Sequence, residues 1–258
     1  VTKLINIKPL KAYTDNYIWL LETNEEVSVV DPGDAKPVLD YLSKTNKNIR
    51  DIFITHHHFD HTAGVPELEN IISGSIYGPK NSYELINEKV TQGDTLSSLG
   101  IKFEIIEVPG HTLDHIAFYN EENDILFCGD TLFAGGCGRV FEGTFDQMFE
   151  SLNKLKQLPD STQIYCGHEY TKSNLNFCLA YDAKNNFLKE NVDKNMSFKD
   201  IRTSCANEIF KKEYSRLLNN GIEAKKARIE ATKKTAKELG NTPKVCRDSY
   251  IDPSLYLE

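Results

Sequence analysis

Apolar and β-branched residues crowd into short runs at residues 16–21 (NYIWLL) and 27–30 (VSVV), bounded by polar and turn residues. That pattern predicts two strands of a meander, the second broken by Asp31-Pro32-Gly33. Over residues 36–44, Val38, Leu39 and Leu42 recur at helical spacing, with Pro37 near the start. Residues 51–55 (DIFIT) predict a short buried strand that runs straight into HHHFDH, with a helix near 63–70. Further strands are expected at 71–77, 101–108, 115–119, 125–128 and 163–166. A helix is expected at 144–157, with Thr144 as N-cap and Phe145, Met148, Phe149, Leu152 and Leu155 on one face. Another fits 171–190. Strand runs with helices between them give a mixed α+β class, and two sheets between outer helices is the favoured arrangement.

Beyond about residue 194 the pattern changes. Residues 200–219 and 221–239 are rich in Lys and Ala and predict two helices. In the second, Ile222, Ile229, Ala236 and Leu239 form one apolar stripe, which Gly240 stops. Thr242-Pro243 offers N-cap and first-turn chemistry for a last short helix. Charge reverses at the same place: residues 1–192 hold 16 basic and 28 acidic residues, net −12, and residues 193–258 hold 14 and 10, net +4. Such a reversal predicts two parts, 1–192 and a small helical region 193–258.

The length of 258 residues suits one large domain, or a large and a small one. Hydrophobic content of 40% and charged content of 26% argue against global disorder. No apolar run approaches the roughly 18 residues of a membrane span, and the first residues read as mature protein. The six cysteines, Cys128, Cys137, Cys166, Cys178, Cys205 and Cys246, include no CxxC pair. They predict reduced thiols, each a small buried hydrophobe, and a cytoplasmic protein.

All seven histidines lie between His56 and His168. Three imidazoles and a carboxylate within His56-His57-His58-Phe59-Asp60-His61, at a strand end, form a metal-ligand pattern. Alternation at the strand end lets His56 and His58 point the same way, while Asp60 and His61 fall on the next turn. His111 in PGHT, Asp130 in FCGDT and His168 in CGHEY also sit at predicted strand ends, each introduced by Gly. The set divides between two metals: His56, His58 and His111 for one, Asp60, His61 and His168 for the other, with Asp130 bridging. N/O ligands without thiolate suit Zn²⁺, with Fe or Mn as alternatives. Two metals about 3.5–4 Å apart lower the pKa of a shared water toward about 7, the equipment for hydrolysing an ester, thioester or amide. His57 and His115 are surplus to the count and read either as orienting or as packing residues.

The segments THHHFDHTAG, PGHTLDH, LFCGDTLFAGGCGRVFEGT and YCGHEYTKSNLNF resemble the metallo-β-lactamase superfamily and, within it, glyoxalase II (hydroxyacylglutathione hydrolase) over about residues 1–190. The resemblance implies an αββα sandwich. It implies hydrolysis of the glutathione thioester S-D-lactoylglutathione to D-lactate and glutathione, with a bridging hydroxide as nucleophile. Its ligand pattern carries onto His56, His58, Asp60, His61, His111, Asp130 and His168, with Asp60 and Asp130 as the carboxylates of the catalytic centre. Its glutathione contacts map to Arg139, Phe141 and Tyr170; Phe141 replaces a Tyr, which removes a hydroxyl. Arg139 suits a carboxylate because its fork binds one bidentately. The alternatives on the same scaffold are an iron persulfide dioxygenase or another acyl hydrolase.

Residues beyond about 195 depart from that family. FKDIRTSCANEIF and TAKELGNTPKVCRDSYIDPSLYLE resemble the C-terminal end of type IB DNA topoisomerases, whose catalytic Arg and nucleophilic Tyr map to Arg202 and Tyr250. The upstream catalytic Arg and Lys of that family have no counterpart, so topoisomerase activity is not expected. A DNA-binding fusion protein acting through the tail is a third reading, weakly supported by a charge of only +4.

Overall fold

The computed structural model describes residues 6–81, 83–191 and 198–238, with isolated positions 243, 247, 251 and 255. For residues 187, 190, 191 and 198–208 it describes the backbone alone. Contacts divide the chain into two compact units, Val1–Gln157 with Gln163–Tyr170, and Leu158–Thr162 with Thr171–Glu258. The division falls ahead of the 192/193 boundary expected from charge, because charge sign tracks exposed side chains and not packing.

The first unit holds two sheets. One is ordered β1 (Asn6–Ala12), β2 (Asn16–Glu22), β3 (Glu26–Val30), β4 (Asn48–Phe53), β5 (Ile76–Pro79), β6 (Glu88–Val90). It is antiparallel from β1 to β3 and parallel from β3 to β6. The other is ordered β13 (Gln163–Cys166), β10 (Ile125–Gly129), β9 (Ile116–Asn120), β8 (Ile101–Glu107), β7 (Thr95–Ser98), with β10 and β13 parallel. A small hairpin, β11 (Leu132–Phe133) and β12 (Gly136–Cys137), follows β10.

Alternation along the strands sorts the core into two layers. Ile18, Leu20, Val27, Val29, Ile52 and Ile54 face one way and pack with Ala35 and Val38 of α1 (Ala35–Thr45) and Val65 and Leu68 of α3 (Val65–Leu68). Leu21, Val30 and Phe53 face the other way and meet Phe103, Ile105, Phe118 and Phe127 between the sheets. Phe53 stacks on Phe118 at 5.0 Å and meets Phe103 edge-on at 5.4 Å. Asp34 caps α1 by accepting from Lys36 N at 2.9 Å, and Asn46 ends it in the left-handed region.

Several elements differ from expectation. The strand expected at 51–55 is β4, which starts at Asn48 and stops at Phe53. The helix near 63–70 is two single turns, α2 (Phe59–Thr62) and α3, and a 3₁₀ turn. The strand at 71–77 forms at Ile76–Pro79, and β1, β6 and β7 carried too little apolar pattern to stand out. α4 (Phe145–Lys156) begins in a Thr144–Gln147 capping box. Its buried side is Met148, Ser151 and Leu155, leaving Phe145 85% and Phe149 65% exposed, because at 3.6 residues per turn those two lie roughly a quarter-turn and a third of a turn from the buried line.

In the second unit the helix expected at 171–190 is α5 (Thr171–Tyr181) and α6 (Asn186–Asn191), separated by a turn in which Asn185 N donates to Asp182 O. α7 (Phe198–Asn219) and α8 (Ala224–Glu238) form a hairpin. Gly221, at φ +78°, turns it, and Ile222 N donates to Leu217 O as in a Schellman motif. Ala231 and Ala236 pack with Phe210 and Ile251. Ala236 of the expected stripe is buried, but Ile229 is 49% exposed, so the buried side of α8 runs instead through the small residues Ala227, Ala231, Thr235 and Ala236. Leu239, Gly240, Thr242 and Tyr250 lie outside the described residues, as does the side chain of Arg202. Among the described residues no helix is long and apolar enough to cross a membrane. Cys128 is buried as expected, whereas Cys166 and Cys178 are half-buried and Cys137 is exposed, because the last lies on the short hairpin strand β12. Cys205 and Cys246 lie outside what is described.

Candidate metal centre

The seven predicted ligands sit where strands of both sheets end. Beyond β4, Ile54 N donates to Tyr77 O at 2.8 Å, which keeps the chain extended into His56. The turn α2 then carries Asp60 and His61, closed by His61 N donating to His58 O at 3.0 Å. His111 follows β8 through Pro109-Gly110, Asp130 follows β10, and His168 follows β13.

These side chains converge in two groups. Donor atoms of His56, His58 and His111 lie within 4.8 Å of one another, as do those of Asp60, His61 and His168. In the first group, His58 Nδ1 is 3.1 Å from His56 Nε2 and 3.0 Å from His111 Nε2. In the second, His61 Nε2 is 3.3 Å from His168 Nε2, which is 3.4 Å from Asp60 Oδ2. Asp130 lies between the groups: Oδ2 is 3.4 Å from His111 Nε2 and 3.1 Å from His168 Nε2, and Oδ1 is 3.5 Å from His61 Nε2.

Outer contacts fix which ring nitrogens face inward. His111 Nδ1 donates to Arg139 O at 2.8 Å, and His168 Nδ1 donates to Asp15 Oδ1 at 2.8 Å. His61 Nδ1 donates to Asp31 Oδ2 at 3.0 Å. Asp31 also accepts from Thr55 N at 2.8 Å and from Thr55 Oγ1 at 2.7 Å, so the Thr55 hydroxyl is left to accept from His56 Nδ1 at 3.0 Å. Asn16 Nδ2 donates to Asp60 Oδ2 at 2.9 Å. Each histidine contact leaves the second ring nitrogen facing the centre, the arrangement in which carboxylates and carbonyls orient metal ligands, and Asn16 holds the Asp60 oxygen that itself faces His168.

Two glycines make room. A Cβ on Gly129, held at φ +48°, would meet Thr55 and His115, and one on Gly167 would meet Asp130 and His61. Strand ends that bring ligands this close tolerate no side chain there.

The charges match a cation site. Burial pushes the Asp130 carboxyl up, but His61 and His168 outweigh it and hold the group well below the carboxylate range. The His168 hydrogen bond keeps Asp60 low as well. Burial lowers His168, yet Asp130 and Asp60 override it and raise it to about 10; His61 is raised in the same way by Asp130 and Asp31. His56, His58 and His111 are all pushed down by burial, and so present lone pairs. Asp130 Oδ1 is buried without a hydrogen-bond partner. Ligands about 2.0–2.1 Å from a tetrahedral ion stand about 3.3–3.4 Å apart, close to the spacings within each group. The residues therefore fit a metal pair, and the fold with its His/Asp groups supports two divalent ions.

His115 stacks on His56 at 4.6 Å and accepts the Asp130 N–H on Nε2 at 3.0 Å, so it orients as well as packs. His57 lies edge-on to His58 at 5.2 Å, with its nitrogens turned to Asp114 and Glu142. Phe141 lies edge-on to His58 at 5.7 Å and to His111 at 5.3 Å, and the Arg139 guanidinium stands 5.1 Å over its ring. Tyr170 stacks flat on His168 at 4.9 Å. Sequence reasoning missed Asp15, Asn16, Asp31 and Thr55. Only Asp31 left a signal: an acidic residue closing an apolar strand just before Pro-Gly, which is buried here at φ +48°.

Residues 14–168 match the model of the metallo-beta-lactamase superfamily. A hydroxyacylglutathione hydrolase from Idiomarina loihiensis is 46% identical over 193 residues, 74% of this chain and 76% of the relative. One from Pseudoalteromonas translucida is 49% identical over 189 residues, 70% of this chain and 72% of the relative. The solved structure of TTHA1623 in a di-iron-bound form aligns with a TM-score of 0.54 at 27% identity, covering 63% of this chain and 92% of that one. The chain belongs to the metallo-beta-lactamase superfamily and, within it, to the hydroxyacylglutathione hydrolase family. The resemblance of residues 196–258 to type IB topoisomerases is not borne out by these similarities; it rested on short segments of a Lys- and Ala-rich helical tail, a composition many solvated helices share.

Proposed function

We propose that the chain hydrolyses 2-hydroxyacyl thioesters of glutathione, converting S-D-lactoylglutathione to D-lactate and glutathione. The seven ligands are His56, His58, Asp60, His61, His111, Asp130 and His168. The observation that carries the reading is the place of Asp130, buried and within 3.5 Å of imidazoles from both donor groups. A carboxylate so placed suits two ions sharing one ligand. Zinc is the proposed metal, with iron or manganese as substitutes, because the donors are imidazole and carboxylate without thiolate. When bound, such a pair supplies a hydroxide at neutral pH and polarises a thioester carbonyl.

The chain's own residues do the rest. Asp31, Asp15 and the Arg139 carbonyl hold the imidazoles in the tautomers that face inward. Arg139 is the proposed partner of a glutathione carboxylate, its guanidinium held over Phe141 at the rim. Phe141 and Tyr170 supply ring surface beside His58 and His168. A reducing, cytoplasmic setting is part of this reading, as the cysteine pattern without a CxxC pair suggests.

The test is hydrolysis of S-D-lactoylglutathione by metal-loaded protein, with metal content measured on the same sample. Two ions per chain and thioester turnover are expected; a single iron with oxygen consumption and no thioester turnover would replace this reading.

A further inference from the structure

His57 stands between two predicted ligands and meets the His58 ring edge-on at 5.2 Å, but its two nitrogens turn to carboxylates. Its Nδ1 is 3.0 Å from Asp114 Oδ1, and its Nε2 is 3.2 Å from Glu142 Oε1. Both carboxylates are anchored elsewhere. Asp114 accepts from Thr112 Oγ1 at 2.6 Å and from Asn81 Nδ2 at 2.5 Å. Glu142 accepts from Leu113 N on its other oxygen at 2.9 Å.

Glu142 belongs to the loop that carries Arg139 and Phe141. That loop is zipped to residues 110–111 through main-chain bonds: Phe141 N and Glu142 N donate to His111 O at 3.2 and 3.4 Å, and Gly143 N donates to Gly110 O at 3.2 Å. His111 Nδ1 ties the loop at Arg139 O at 2.8 Å, but two of the main-chain bonds share one acceptor and none is shorter than 3.2 Å, so they grip residues 141–143 less firmly. Phe141 is 58% exposed and has little burial to fix it. The His57–Glu142 contact adds a side-chain tie from this loop to the His56–His58 turn.

We propose that His57 is a positioning residue for substrate: through Glu142 it clamps the Arg139–Phe141 loop against the metal turn and so sets the glutathione-binding rim. This rests on the thioesterase reading for its substrate, but the clamp itself is a statement about the loop.

The experiment compares metal-loaded wild type with His57→Gln, Glu142→Gln and the double variant. Glu142 is a rim residue, so its variant is insulated from folding failure at the turn. Hydrogen exchange is measured at the amides of residues 139–143, metal content is measured in parallel, and KM and kcat are measured on S-D-lactoylglutathione. Exchange should rise roughly tenfold in each single variant. KM should rise roughly threefold to tenfold with kcat within about twofold, two ions should be retained, and the double variant should be no worse than either single one. Unchanged exchange in both single variants would overturn the clamp, as would metal loss in His57→Gln. Faster exchange with an unchanged KM would overturn the role in substrate binding. If wild type fails to turn over the thioester, the proposed function falls, and the exchange data alone decide the clamp.

Discussion

Asp31 accepts a hydrogen bond from His61 Nδ1 at 3.0 Å and, through the Thr55 hydroxyl, also steadies His56. One buried carboxylate thus orients an imidazole in each of the two donor groups. Asp31→Asn keeps the shape but offers an amide in place of an acceptor pair. We expect it to lower metal affinity about 10- to 100-fold, measured by chelator competition on folded protein. Wild-type affinity in that variant would show that the contact does not orient the ligands.

His58→Ala and Asp130→Asn remove, respectively, the imidazole shared by two close contacts and the carboxylate between the groups. Each should lose metal and thioester turnover together. Full turnover in either would show that the ligand assignment is wrong.

Phe141→Tyr returns a hydroxyl to the rim beside Arg139. A hydrogen bond gained there is worth about 1 kcal/mol, so KM should fall by roughly threefold to tenfold with kcat little changed. A KM that rises or stays level would show that the rim does not reach substrate at this ring.

Glu22 is a buried acid at the end of β2, between β1 and β3. Burial pushes its carboxyl up, but bonds from Lys8, Tyr41, Lys47 and Asn6 outweigh it and hold it at about 2, below the ordinary 4.5. The folded state is therefore the weaker proton binder. The stabilisation is full above about pH 4.5 and is lost as pH falls toward 2. Urea unfolding midpoints of wild type and Glu22→Gln should converge over that window and differ most near neutrality. Parallel curves would remove Glu22 from the account of acid stability.

Phe53 is fully buried and touches Phe103, Phe118 and Tyr77 between the sheets. Phe53→Ala should cost about 3–5 kcal/mol, read as a drop in the denaturant midpoint. A loss below about 1 kcal/mol would mean that the neighbours collapse into the cavity.

The site was legible where its chemistry is local. His56 to His61 lie on one turn, and His111, Asp130 and His168 each follow a strand and a glycine, so pattern and spacing pointed to them. Asp15 and Asn16 were not legible because they meet His168 and Asp60 only across 153 and 44 residues of chain. The fold followed the same rule. Strands with strong apolar alternation, such as β2 and β8, stood out, while the short, partly exposed β6 did not. In α4 the periodicity gave the helix but misplaced its face, since Phe145 and Phe149 turn outward. Intrinsic hydrophobicity does not say which side a sheet will cover.

Thioester hydrolysis is proposed to depend on two divalent ions held by five imidazoles and two carboxylates. The most direct measurement is S-D-lactoylglutathione turnover in protein stripped by a chelator and then titrated with Zn²⁺, with bound metal counted at each point. Stripped protein should show no turnover, and recovery should reach its plateau at two ions per chain. Undiminished turnover in the stripped protein would contradict that dependence.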